Sequence, residues 1–266
     1  MTEPQIQKAP AYVPGHQLLA GKSVLITAAA GAGIGFAAAR RCAEEGCRAL
    51  FISDIHEKRL EQAVDTLRAE TGLQRIHGRL CNVAVEADVR ALVAAAEDTL
   101  DGVDVLINNA GLGGATRIVD MDDAEWSRVI DISLTGTFRM TRAMLPHMQA
   151  RGRGAIVNNA SVLGWRAQAE QAHYAAAKAG VMAFTRCAAL EASPYGVRIN
   201  AVAPSIAMHD FLKKSAPADL LNQLASREAF GRAAEVWEVA NVMVFLASDY
   251  ASYMTGEVLS VSSQHA

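Results

Sequence analysis

Several things are scarce in this 266-residue chain. Its four cysteines, Cys42, Cys47, Cys81 and Cys187, form no CxxC pair and no metal-ligand spacing. No metal site is expected, and three of the four, which fall in helix or strand segments, read as small buried hydrophobes. A surplus of one charge is also lacking. The chain has 25 basic and 28 acidic side chains, a net charge of -3, which gives no electrostatic case for nucleic acid. No apolar run approaches the roughly 20 residues that cross a bilayer, so no membrane span is expected. The first twenty residues hold Glu3, Lys8, Pro4, Pro10 and Pro14 without the apolar stretch of a signal peptide. Residues 1–20 therefore read as a mobile arm, with packing on a partner subunit as the alternative, and the protein as cytoplasmic.

What is present is a regular alternation. Hydrophobic residues make up 51% and charged residues 20%, which excludes wholesale disorder, and the length suits one α/β unit. Short, nearly continuous apolar runs predict strands at Ser23–Thr27, Ala49–Ser53, Ile76–Leu80, Val103–Ile107, Ala155–Asn158, Arg198–Val202 and Val258–Val261. Helix-length segments lie between them, at about 34–46, 57–71, 85–100, 123–150, 174–193 and 235–248. Such alternation implies a doubly wound parallel sheet with helices on both faces. Asp122 and Asp123 suit a helix start, and Gly152, Pro194 and Gly196 suit helix ends. The domain is placed at 21–266. The segment 205–234 has no strand pattern but carries Phe211, Leu212, Leu220, Leu221, Leu224 and Phe230. It reads as a substrate lid, because a structureless stretch of that length in a compact domain is usually functional.

The first strand runs through Thr27 into Gly31-Ala32-Gly33-Ile34-Gly35 and then a helix. Glycines let backbone approach a pyrophosphate, and the free N–H groups of a helix start hold its charge. Asp54 follows Gly35 by nineteen residues, at the end of the second strand. A carboxylate there accepts from ribose hydroxyls and repels a 2′-phosphate, so NAD(H) is favoured over NADP(H). Asp54 also fits a simple helix cap, and nearby His56, Lys58 and Arg59 leave room for NADP(H). Asn82-Val83 and Asn108-Asn109-Ala110-Gly111 close the third and fourth strands, where ligands bind in this architecture. Both stretches also suit turns.

Tyr174 and Lys178 lie four apart at a helix start and so on one face. A phenol near pKa 10 is a poor base, and a lysine cation alongside is expected to favour phenolate by roughly 1–3 units. Ser161, after the fifth strand, can stabilise charge on a substrate oxygen. Each alone fits a helix surface pair or a turn serine. Together, in this order, they are far more specific.

The set Thr27…Gly31-x-Gly33-x-Gly35, Asn108-Asn109-Ala110-Gly111, Ser161, Tyr174-xxx-Lys178 and Asn200-Ala201-Val202-Ala203-Pro204 resembles the short-chain dehydrogenase/reductase family, from about Leu19 to Val261. General likeness is to 3-oxoacyl-carrier-protein and acetoacetyl-CoA reductases. The resemblance implies a single Rossmann-like domain with a seven-stranded parallel sheet, and a homotetramer or homodimer built through the helices at 123–150 and 174–193. It implies hydride transfer between NAD(P)(H) and a ketone or secondary alcohol. Tyr174 would move the proton, Ser161 would orient the carbonyl, and Lys178 would bind ribose and tune Tyr174. Thr27, Gly31, Gly33, Ile34, Gly35, Asp54, Asn82, Val83, Asn109, Ala110, Gly111, Pro204 and Ile206 would line the cofactor. The stretch Asn159–Gln168 and the ending Ser260–His265 further resemble a bacterial subgroup. That subgroup includes a late steroid-degradation reductase acting on CoA thioesters.

Three departures stand out. Ala28-Ala29-Ala30 replaces the first glycine of the turn and lengthens it by one. Ser133 stands where the family has an asparagine that supports a helix kink and a water relay to the lysine. A serine bonding back to its preceding turn would also bend a helix. Ser205 follows Pro204 in place of glycine, and Ser262-Ser263-Gln264 ends the sheet. Lys213-Lys214 and Arg166 suggest contact with CoA or carrier phosphates, or simply solvated faces. An idle dinucleotide-binding sensor is the alternative from another class.

Overall fold

A computed structural model describes residues 8–209, 212–213 and 218–263. Phe211, Lys214, Gln264, His265 and the first seven residues of the arm lie outside the described residues.

The strands are β1 (Ser23–Ile26), β2 (Ala49–Asp54), β3 (Ile76–Leu80), β4 (Val105–Asn108), β5 (Gly154–Asn159), β6 (Val197–Pro204), β7 (Ala207–Met208), β8 (Ala234–Glu235) and β9 (Val258–Val261). The helices are α1 (Ile34–Glu44), α2 (Glu57–Thr71), α3 (Glu86–Leu100), α4 (Asp123–Ile130), α5 (Gly136–Arg151), α6 (Ala172–Ala192), α7 (Ala218–Ser226) and α8 (Val236–Ala247). Seven strands form one sheet in the order β3-β2-β1-β4-β5-β6-β9, every neighbouring pair parallel. This is the doubly wound parallel sheet that the alternation predicts, and the single Rossmann-like domain with seven strands that the resemblance implies.

The sheet is buried on both faces. Val24, Ile26, Leu50 and Ile52 pack with α1, α2 and α8 on one side. Leu25, Phe51 and Leu106 alternate with them and pack under α3, α5 and α6 on the other. A strand enclosed twice cannot alternate polar with apolar, which is why these runs read as continuous. Each buried Leu, Ile or Val contributes about 1.5–3 kcal/mol.

Helix ends follow local chemistry. The Asp122 side chain accepts from the Glu125 amide at 2.7 Å and caps α4. Gly152 and Gly196 close their helical segments in the left-handed region, φ 68° and 70°. The helix expected over 123–150 is broken in the middle: Asp131–Thr135 form one π-helical turn between α4 and α5.

Two expectations change. Residues Tyr12–Ala20 are tied to α1 rather than loose. The Arg41 guanidinium donates to the carbonyls of Val13 and Pro14 and pairs with Glu45, whose carboxylate accepts from the amides of His16 (2.7 Å) and Leu18 (3.0 Å). Tyr12 also packs edge-on against Trp237, ring centroids 5.4 Å apart. Composition could not show this, because the partners lie about thirty residues downstream. The segment 205–234 also has strands after all: β7 pairs with β8, pinning its two ends together around α7.

Ala28 sits at φ 51°, in the left-handed region that costs an L-residue roughly 1–2 kcal/mol. Ala28→Gly should therefore raise unfolding stability by about 1 kcal/mol. A urea melt of the purified variant checks it, and an unchanged or lower midpoint would contradict the strain.

Candidate active site

The chain's site lies at the carboxyl edge of the sheet, between β1 and β4, where the strand order changes direction. Thr27 joins the two strand ends: its Oγ1 accepts from the amides of Asn109 and Ala110, both at 3.0 Å. Asn109 returns the link, its Nδ2 donating to the carbonyls of Thr27 (3.2 Å) and Ala28 (3.0 Å). Gly35 is needed for packing here, since a Cβ would come within 2.4 Å of the Ala28 carbonyl oxygen and of Asn109 Nδ2. Gly31 and Gly33 differ. A Cβ on either would meet nothing within 4 Å, so both border open space. The first turn of α1 carries no acidic residue, and no side chain caps Gly33. An uncapped helix start facing an open glycine cradle fits a bound pyrophosphate. Ile34 opens that helix.

Asp54, the last residue of β2, is 7% exposed. Its carboxylate accepts from the Ala30 amide at 3.3 Å and from the His56 amide at 3.1 Å, and Arg59 approaches to 3.5 Å. Burial raises the Asp54 pKa, with Arg59 and the amides opposing. Asn82 makes a turn: its Oδ1 accepts from the Ala84 amide at 3.0 Å, and its own amide donates to Asp88. Val83 is buried beneath Gly136, where a Cβ would sit 2.7 Å from it.

Lys178 is 2% exposed, and its Nζ donates to the Asn159 carbonyl at 2.5 Å. Nζ stands 5.6 Å from the centre of the Tyr174 ring. Ser161 hydrogen-bonds Tyr174 and caps the short turn Val162–Gly164 by accepting from the Leu163 amide. The three expected residues are therefore together. Their electrostatics correct the sequence reading. Burial raises the Tyr174 pKa, and the Ser161 hydrogen bond only partly opposes it. Burial also pushes Lys178 down to about 8. Loss of water dominates both shifts and favours the neutral phenol at Tyr174.

Ser133 does not bond back along its helix as expected. Its hydroxyl reaches sideways, accepting from the Leu112 amide and donating to the Leu112 carbonyl, both at 2.9 Å. Ser133 lies within the π turn itself, and its carbonyl accepts from the Thr137 hydroxyl at 3.1 Å. Gly111 lies between the two groups: a Cβ there would be 3.2 Å from Lys178 Nζ and 3.8 Å from Ser133 Oγ.

A family model described as enoyl-(acyl carrier protein) reductase matches residues 28–263. The chain belongs to the short-chain dehydrogenase/reductase family. It is 59% identical to the Mycobacterium tuberculosis (5R,7aS)-5-hydroxy-7a-methyl-1-oxo-2,3,5,6,7,7a-hexahydro-1H-indene-carboxyl-CoA reductase, over 97% of this chain and 98% of that one. It is 41% identical to a cis-4-hydroxycyclohexanecarboxylate dehydrogenase of Sinomonas cyclohexanicum, covering 90% and 94%. A crystal structure of a short chain dehydrogenase from Mycobacterium smegmatis superposes with TM-score 0.87 at 53% identity, covering 98% of this chain and all of that one. The protein is thus an NAD(P)-dependent oxidoreductase, and the sensor reading is set aside.

In this short-chain dehydrogenase/reductase, the residues that depart from the family pattern meet one another. Ser205 donates its amide to Val261 at 3.1 Å. Glu228, buried and not singled out from sequence, accepts from the hydroxyls of Ser262 (3.3 Å) and Ser263 (3.1 Å) and from the Ser263 amide (3.2 Å). The Arg166 guanidinium donates to the Ser262 hydroxyl at 3.3 Å and joins this network. Pro204 ends β6, and the Ile206 carbonyl accepts from the Ala234 amide at 2.9 Å. Trp165, Leu220 and Phe230 are exposed apolar side chains. Among the described residues no cluster of His, Cys, Asp or Glu could hold a metal, and no helix is long and apolar enough to cross a membrane.

Lys178 is an ammonium below about pH 8 and loses its charge above it. Were this pair to serve carbonyl reduction, the reaction would need that charge beside the developing oxyanion and a protonated Tyr174. The kcat/KM for reduction should therefore fall above about pH 8. In Lys178→Arg, which stays charged, the fall should vanish while absolute rates are lower. A pH–rate profile flat to pH 10 in the unmutated enzyme would contradict this.

Proposed function

We propose that the protein reduces a ring ketone to a secondary alcohol on a bicyclic acid carried as a CoA thioester, with NADH as hydride donor. The direction is supported by the relative that is 59% identical and named a reductase, and the Tyr174 phenol, whose pKa burial raises, fits a proton donor to a carbonyl oxygen. Bound nicotinamide supplies the hydride to the carbonyl carbon. As the carbonyl π electrons move onto oxygen, Ser161 donates a hydrogen bond to that oxygen and Tyr174 gives it a proton. The Lys178 ammonium stabilises the phenolate left behind and holds a ribose hydroxyl. Proton transfer by a positioned group contributes roughly 10²–10⁴-fold.

The substrate class rests on the relatives. One 59% identical acts, by its name, on a hexahydroindene-carboxyl-CoA, and another, at 41%, on a hydroxycyclohexanecarboxylate. Exposed Trp165, Leu220 and Phe230 suit a bulky apolar ring rather than a sugar. The segment 205–234, clasped by β7 and β8, acts as the lid over it. Asp54 supports NADH over NADPH, because a buried carboxylate tied to the Ala30 amide would face a 2′-phosphate. Arg59, 3.5 Å from Asp54, is the feature that favours the second reading, NADPH. We place the enzyme in the cytoplasm as a homotetramer or homodimer. Phe138, a half-exposed aromatic on α5, meets Phe184 of α6 edge-on at 6.1 Å, on the helices expected to build that contact.

Tyr174→Phe should lower kcat by about 10²–10⁴-fold and leave the NADH Kd within about threefold. Retained turnover would refute the proton assignment. Steady-state kcat/KM for bicyclic ketone CoA thioesters should exceed that for linear 3-oxoacyl-CoA, and NADH should outperform NADPH, with Asp54→Ala narrowing that gap. A preference for NADPH in the unmutated enzyme would overturn the cofactor assignment.

A further inference from the structure

The residue before the proton donor is as buried as any in the molecule. His173 has no exposed surface, and neither ring nitrogen has a hydrogen-bond partner among the described residues. Leaving a buried donor unpaired costs about 1–3 kcal/mol, so such a group calls for an explanation. Its nearest carboxylate oxygen is Glu125 Oε1 of α4, 3.6 Å from Nε2. That is about 0.7 Å beyond an ordinary hydrogen bond. The same Glu125 oxygen already accepts from the Thr116 hydroxyl at 2.6 Å.

Above this pair runs the segment that follows β4, and it tracks the face of α6. Gly111 lies against Lys178, with a Cβ position 3.2 Å from Nζ. Gly113 lies against Tyr174, where a Cβ would be 3.7 Å from ring atom Cδ2. Gly114 lies against His173, where a Cβ would be 2.8 Å from Nε2 and 3.2 Å from Glu125 Oε1. The segment is also tied to the loop before α6. Thr116 donates its amide to the Glu170 carbonyl at 3.0 Å, and the Gln171 side chain donates to the Gly114 carbonyl. It ends in Ile118 and Val119, both 73% exposed, on the wall of a groove of about 480 Å³ that Gln168 and Glu170 also line.

We propose that His173, Glu125 and Thr116 form a latch that seats Gly113-Gly114 on Tyr174, setting the wall of the site against which a bulky ring is held. A shift of about 0.7 Å closes the His173 Nε2–H onto Glu125, and the unpaired donor gains its partner. The latch acts through position. None of the three groups exchanges a proton with substrate. The choice of a bulky ring rests on the function proposed above, whereas the latch itself does not.

The test uses the NADH-bound enzyme and the variants Glu125→Gln, His173→Asn and Thr116→Val. Hydrogen exchange of amides 113–117 should rise in each variant while core amides of β4 and β5 keep their protection. The KM for a bicyclic ketone should rise roughly tenfold, the cost of a lost hydrogen bond to a charged group, with KM for a small cyclic ketone within about threefold. The Glu125→Gln/His173→Asn double variant should be no worse than the poorer single one, and Thr116→Ser should behave as unmutated enzyme. Unchanged exchange at 113–117, or equal losses on both ketones with a lower Tm, would overturn the latch. If exchange responds but the unmutated enzyme ignores bicyclic ketones, the latch stands and the substrate assignment falls.

Discussion

A lysine ammonium enclosed at the edge of a sheet is the constraint around which this molecule is arranged. Lys178 is almost fully buried, and a buried charge is costly unless a fixed dipole meets it. That dipole is the carbonyl of Asn159, the last residue of β5. Everything that fixes the Asn159 backbone therefore fixes the lysine, and through it the tyrosine one turn earlier on α6.

The fixing runs through a row of asparagines across three strand ends. The Asn159 side chain donates to Asn109 Oδ1 at 3.0 Å, and Asn109 in turn holds the carbonyls of Thr27 and Ala28. One residue deeper, Asn108 donates to Asn158 Oδ1 (2.9 Å) and to Thr141 of α5 (3.1 Å), and Asn158 donates to Thr185 of α6 (2.9 Å). The upper row joins the glycine turn to Lys178. The lower row locks the sheet to the two helices beneath it. In a low-dielectric interior such bonds are strong, and the row ties these strand ends together. The glycine turn and the Tyr174–Lys178 face of α6 are linked through it.

The fold and the central triad were legible because each rests on a local pattern. Doubly buried strands are continuous apolar runs, and a Tyr–Lys spacing of four places both on one helix face. What was not legible depends on residues far apart in sequence. Glu228 carries no local signal, and its role exists only because the chain's end brings Ser262 and Ser263 to it. The arm's docking needs the buried Arg41–Glu45 pair, which in sequence is an ordinary i, i+4 helix pair. His173 beside Tyr174 carries no signal either, since burial cannot be read from one position on a helix. Asn159 was noted only as part of a resemblance, although its amide links the two halves of the site.

The direction of the tyrosine's pKa also follows from enclosure rather than from the residue list. Sequence pairing suggests that lysine lowers the phenol, as it would if both stood in water at close range. In the folded chain both lose water, and the ammonium spends its short hydrogen bond on Asn159 while Ser161 meets the phenol. Desolvation then favours the neutral form of each, raising Tyr174 and lowering Lys178. A neutral phenol is an acid waiting for a developing oxyanion. Negative charge on a substrate oxygen would restore the ammonium its counter-charge and lower the cost of forming phenolate. The site is thus built to respond to the charge of the transition state, and the resting structure leaves that compensation to be completed by the reacting carbonyl.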